Sequence, residues 1–231
     1  MLFLDPTYLL FMLPAFILMI IAQSYVSGAY RKWSQVPAQS RFTGAQAAQR
    51  LITYSGLDVS VDGIRGKMTD NYDPRVKVLH LSEGVYNSSS VASLAIAAHE
   101  LGHAMQDREG YFPLRLRAAL VPAVNIGSYL GWILIFTGML LRQTQLAWLG
   151  VLVFSGGAIF ALATLPVELN ASSRAKALLT DTGMIIGENE KSGVNRVLNA
   201  AALTYVAGLL TAVLQLLYFV SLVGGVGGRR R

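Results

Sequence analysis

Apolar residues gather in four blocks, at 8–25, 118–141, 146–165 and 201–223. Each is near the roughly 20 residues that carry a helix across the hydrocarbon core of a bilayer. The pattern predicts four membrane-spanning helices. Between the first two blocks lies residues 27–117, where polar residues and turn signals mix with apolar ones, as expected of a water-facing region. Within it, Ala45, Ala47, Ala48, Leu51 and Ile52 recur at helical spacing over 43–54, with Gly56 just beyond, and predict a short amphipathic helix. Segments 57–64 and 76–81 alternate apolar and polar positions around the turn-rich Thr69-Asp70-Asn71-Tyr72-Asp73-Pro74, which predicts a hairpin or small sheet. A peptide could lie extended along an edge such as 76–81. The run Asn87-Ser88-Ser89-Ser90 offers N-caps for a helix over 91–106, and Gly110 and Pro113 break it before the next helix. The third block ends at Leu165-Pro166, and a helical pattern resumes over 167–180 with a stop at Gly183.

Composition sharpens this reading. Of the 231 residues, 53% are hydrophobic and only 14% are charged, a balance that favours a membrane protein over a soluble one. The chain has no cysteine, which excludes disulfides, thiol catalysis and thiolate metal sites; any metal must be held by imidazole and carboxylate. The net charge of +6 does not point to nucleic acid, because the basic residues form no patch with interleaved aromatics. They sort by topology instead. Fifteen of the 19 fall within 27–117 and 167–200, so the positive-inside rule puts both segments in the cytoplasm and the termini outside. The triplet Arg229–Arg231 argues against that arrangement for the last block. No basic residue precedes the first block and no clear cleavage pattern closes it, so it reads as a retained anchor rather than a signal peptide. Gly127, Gly131, Gly138, Gly156 and Gly157 in the middle blocks permit close helix packing, within the chain, in a homo-oligomer or with a membrane partner protein.

The chemistry concentrates at His99-Glu100-Leu101-Gly102-His103. Residues four apart project from one face of a helix, so His99 and His103 can offer imidazole nitrogens to one ion. Glu100 then stands beside the metal rather than on it, placed to take a proton from water and return it to a leaving amine. Gly102 leaves room for another backbone or a substrate to approach. Only three histidines occur in the chain and two fall here, among Leu94, Ala95, Ile96, Ala97, Ala98 and Leu101, where an unpaired charge would be costly. Catalytic zinc takes three protein ligands and keeps a fourth position open. A histidine six residues after His103 would mark the extended metzincin pattern, but Glu109 stands there and Gln106 occupies its glycine position. His80 is the remaining histidine; on its strand it is a ligand, a residue of the substrate cleft or a half-exposed strand histidine. Glu168 is the better third ligand, since a carboxylate just after an apolar block needs a metal or cation to face. The alternative is a helix-start glutamate favoured by the helix dipole after Pro166.

Four stretches taken together resemble the YugP-type bacterial membrane zinc metallopeptidases: Asp73-Pro74-Arg75, the run from Leu81 to Asn87, the run from Ala97 to Gln106, and Pro166-Val167-Glu168-Leu169-Asn170-Ala171-Ser172. The resemblance covers most of the chain. It implies a gluzincin-like site with His99 and His103 as ligands, Glu100 as general base, Glu168 as third ligand and one zinc ion per chain. The family segment usually reads Glu-Phe-Asp-Ala-Ser-Arg-Arg-Ala, whereas Asn170 stands in this chain where the aspartate is expected. If that aspartate orients a ligand histidine, Asn170 does so more weakly. Arg174 matches, and would neutralise a carboxylate or stabilise an oxyanion.

The expected fold is therefore mainly α: a multi-span helical membrane protein with a zincin-like α+β cytoplasmic metallopeptidase domain, a small sheet plus the motif helix. Its parts would be an anchor at 1–27, the metallopeptidase domain at 28–117, a transmembrane hairpin at 118–166, the third-ligand helix and a connecting segment at 167–200, and a last span with a basic tail at 201–231. The expected function is a zinc-dependent endopeptidase of the bacterial inner membrane, acting at the cytoplasmic side on membrane-associated or misfolded polypeptides. A membrane scaffold or adaptor that retains the zinc site is the alternative.

Overall fold

The computed structural model of the chain describes residues 6–228. The Arg229–Arg231 triplet lies outside the described residues. Elements follow in the order α1 (Pro6–Trp33), α2 (Gly44–Ser55), β1 (Ser60–Ile64), β2 (Asn71–Asp73), β3 (Val78–Ser82), α3 (Glu83–Tyr86), α4 (Val91–Arg108), α5 (Phe112–Leu140), α6 (Thr144–Asp181) and α7 (Gly187–Gly228). The protein is mainly helical, and α1, α5, α6 and α7 are long and apolar enough to cross a membrane.

Two compact units divide the chain. One takes the chain up to Ile21, Arg115–Leu165 and the chain from Thr204. Its core holds Ile135, Ala147, Val151, Tyr218, Phe219 and Val223, with Trp132 set edge-on to Phe219 at a ring separation of 4.8 Å. Glycine brings α5 against α6: a side chain at Gly138 would strike the backbone of Ala147, and one at Gly131 would come within 2.9 Å of the Phe154 side chain. These two glycines serve packing within the chain. Gly156 and Gly157 meet nothing within 4 Å.

The other unit is Ala22–Leu114 with Pro166–Leu203, and it contains the motif. Local signals shape it. Thr43 and Gln46 form a reciprocal capping box that starts α2, and Ser90 caps α4 by accepting from the Ser93 backbone N–H. Leu51, Leu79, Leu81, Leu94 and Leu101 are fully buried where α2, the sheet and α4 meet. The strands run β1-β3-β2, with β1 parallel and β2 antiparallel to β3.

Three expectations need correction here. Of the hairpin or small sheet expected from 57–64 and 76–81, the structure forms the small sheet and not the hairpin, because β1 and β3 are parallel neighbours and the chain between them returns through β2. For the same reason β3 is the central strand, so 76–81 is no edge for a peptide. Nor does the helix stop at Leu165-Pro166: α6 continues through Pro166 to Asp181. A proline removes one ladder donor and costs about 3 kcal/mol in a helix interior. Beyond it, Val167, Glu168, Ala171, Ser172, Ala175 and Leu179 are buried along one face, and that packing outweighs the local signal.

Candidate metal centre

The centre is assembled from one face of α4 and one face of α6. His99 and His103 stand four residues apart on α4, their ring centroids separated by 4.9 Å. Glu168 on α6 is 2% exposed, and its Oε2 lies 3.3 Å from His99 Nε2 and 3.5 Å from His103 Nε2. One donor atom from each of the three residues falls within 4.8 Å of the others, a grouping that could hold a metal ion.

Close approach of the two helices makes this possible. A Cβ at Gly102 would sit 2.6 Å from the carbonyl oxygen of Ala171 and 3.0 Å from its Cα. The space left by the missing side chain is therefore taken by another backbone. Any larger residue would part α4 from α6 at the level of His99, His103 and Glu168.

The outer nitrogens of both rings are occupied. His99 Nδ1 lies 3.2 Å from Ser172 Oγ, and His103 Nδ1 lies 3.0 Å from Gln106 Oε1. The Gln106 amide nitrogen donates to the Val167 carbonyl at 2.8 Å and to Asn170 Oδ1 at 3.0 Å. Arg174 Nε donates to the same Asn170 oxygen at 2.7 Å, while its two terminal nitrogens grip both oxygens of Glu109 at 2.7 Å each. Asn170 thus accepts from Gln106 and Arg174, and its link to His103 runs through Gln106. Arg174 neutralises a carboxylate, Glu109, and its hydrogen bond holds that carboxyl below the ordinary glutamate range.

Glu100 lies outside the converging donors and is 9% exposed. Burial raises its pKa, the nearby imidazoles of His99 and His103 oppose the rise, and the carboxylates of Glu168 and Asp70 add to it. Burial alone would lower the His103 imidazole, but the Glu168 hydrogen bond and the charge of Glu100 outweigh it and leave the pKa raised. Asp70 is itself fixed by the Ser82 backbone N–H at 2.7 Å and the Ser82 hydroxyl at 2.9 Å. His80 does not join the group. It is half-buried on β3, on the face opposite the fully buried Leu79 and Leu81, with its Nδ1 buried and unpaired.

The donor set fits zinc. A tetrahedral ion with ligands at about 2.0–2.1 Å places neighbouring donors about 3.3 Å apart. The two Glu168 distances, 3.3 and 3.5 Å, match that spacing. Both rings turn Nε2 toward the carboxylate, and three protein donors leave a fourth position open.

A family model described as "Putative neutral zinc metallopeptidase" matches residues 8–224. The chain belongs to this family. Among curated proteins, the "Putative membrane protease YugP" of Bacillus subtilis (strain 168) is 47% identical over 200 residues, covering 86% of this chain and 88% of the relative. No solved structure matches. The YugP-type resemblance read from the sequence is thereby shown. Membership accounts for the length of the match, which takes in the four apolar helices and the whole unit around His99, His103 and Glu168.

Two contributors escaped the sequence reading, Gln106 and Ser172. The signal was present in helical spacing, since Gln106 lies three residues after His103 and Ser172 four after Glu168. Each was legible only once both Nε2 atoms were seen to face Glu168, which leaves Nδ1 of each ring in need of a partner.

Proposed function

We propose that the chain is a membrane-embedded zinc-dependent endopeptidase that cleaves membrane-associated or misfolded polypeptide segments at the cytoplasmic surface. The observation that carries this reading is that Glu168 Oε2 lies at zinc-ligand spacing from both His99 Nε2 and His103 Nε2, with donors of all three residues within 4.8 Å of one another, beside a buried, non-converging Glu100. His99, His103 and Glu168 are the proposed ligands, and zinc when bound lowers the pKa of water and polarises a scissile carbonyl.

Glu100 is the proposed general base. Its carboxylate takes a proton from the attacking water, and the resulting carboxylic acid returns that proton to the departing amine nitrogen. Burial supports the first half of the cycle, since a carboxylate whose pKa is raised is a better proton acceptor than an exposed one. Ser172 and Gln106 hold the two rings from behind. With β3 enclosed, the sheet's edges are β1 and β2. The edge at β2 suits an extended substrate better, because Tyr72 on that strand donates to Asp107 on α4 at 2.9 Å and ties it to the motif helix. In this reading the sheet and α4 form a zincin-like unit. Fifteen of the 19 basic residues lie within 27–117 and 167–200, which supports the cytoplasmic side. A scaffold that keeps zinc for structure alone gives no role to Glu100.

The test uses the detergent-purified full chain, its zinc content and its hydrolysis of labelled casein. Glu100→Gln should hold zinc as the wild type does while hydrolysis falls by about 10²-fold or more. A Glu100→Gln variant with full activity overturns the mechanism.

A further inference from the structure

We infer that Arg174, Asn170 and Gln106 form a directional hydrogen-bond relay that fixes which nitrogen of His103 is free to bind metal. The inference rests on the metal-centre reading and assigns the three residues as positioning residues.

The direction follows from what each group is able to do. A guanidinium has donors and no acceptor, so the Arg174 Nε 2.7 Å from the residue 170 amide must face an oxygen. That fixes the orientation of Asn170. Its Oδ1 then lies 3.0 Å from the Gln106 amide, and the Val167 carbonyl lies 2.8 Å from the same Gln106 atom. Two acceptors on one atom require it to be the NH2 group; the flipped amide would set three oxygens against one another in a site where Gln106 has no exposure to solvent. Gln106 Oε1 is thereby turned on His103 Nδ1 at 3.0 Å, and an oxygen there demands Nδ1–H. A neutral imidazole with its proton on Nδ1 presents its lone pair at Nε2, the atom 3.5 Å from Glu168.

The relay therefore runs from a charged donor at the rim, where Arg174 is anchored by Glu109, to the ring tautomer at the centre. His99 has a simpler partner. The Ser172 hydroxyl both donates and accepts, so it tolerates either tautomer. Selection is built into the His103 side alone.

Only the oxygen of residue 170 is used in this relay. Asparagine and aspartate supply that oxygen equally, whereas leucine supplies none. Zinc affinity of the full chain, measured in detergent by competition with a chromogenic chelator, separates the cases. Asn170→Asp should bind zinc within about threefold of the wild type, and Asn170→Leu and Gln106→Met should bind about 10- to 100-fold more weakly. Rescue by the aspartate variant distinguishes polarity from packing. If Gln106→Met fails to fold, the Asn170 pair decides, since residue 170 is only half-buried. The inference is overturned if Asn170→Leu binds as tightly as the wild type, or if Asn170→Asp loses as much affinity as Asn170→Leu. A wild type that holds no zinc at all defeats the metal-centre reading itself, and the inference with it.

Discussion

At the scale of single residues, the tightest constraint falls on the residue with no side chain. His99, Glu100 and His103 contribute atoms, but Gly102 contributes an absence that lets the Ala171 carbonyl approach to within 2.6 Å of where a Cβ would stand. A methyl group at that point has backbone on the far side, which cannot rotate away. Overpacking of this kind costs about 1–3 kcal/mol of folding stability. Gly102→Ala should lower the thermal midpoint and weaken zinc binding in the same preparation. Wild-type values for both would show that α4 and α6 do not need this contact. Glu100 illustrates a different constraint, because its neighbours pull in opposite directions: burial, Glu168 and Asp70 raise its proton affinity and the two imidazoles lower it.

At the scale of elements, what could be read in advance follows from whether the signal is local. The capping serine before α4, Ser90, the spacing of His99 and His103, and the glycine after α2 are all written within a few residues, and the structure carries them as expected. Strand order is not local. The alternation in 57–64 and 76–81 marks strands correctly, but nothing within either segment says that the partner is parallel or that Asn71–Asp73 inserts as a third strand. Pro166 misled for a related reason: its local cost is real, and only the buried face from Val167 onward, visible in the folded chain, explains why α6 continues. Among the candidate metal donors, Glu168 could be singled out because a carboxylate beside an apolar block needs a partner. Gln106 could not, since a buried glutamine announces itself only when its neighbours are known.

At the scale of the whole molecule, the four apolar helices and the distribution of basic residues make a topological prediction that the chain is well suited to test. Because it contains no cysteine, any introduced thiol is unique. Lys67 is exposed in the β1–β2 loop and Gln143 is exposed in the turn between α5 and α6. A membrane-impermeant maleimide should label Gln143→Cys in intact cells and Lys67→Cys only after lysis. The reverse pattern would place the unit that carries His99, His103 and Glu168 outside and contradict the proposed cytoplasmic side.

The central claim is that one zinc ion is held by His99, His103 and Glu168, and it is tested most directly by metal content. Zinc per chain should be measured on the purified wild type, on Glu168→Ala and on His80→Ala after equilibration with a weak chelator. The account predicts close to one zinc in the wild type and in His80→Ala, with zinc lost from Glu168→Ala. Zinc retained by Glu168→Ala and lost from His80→Ala would contradict it.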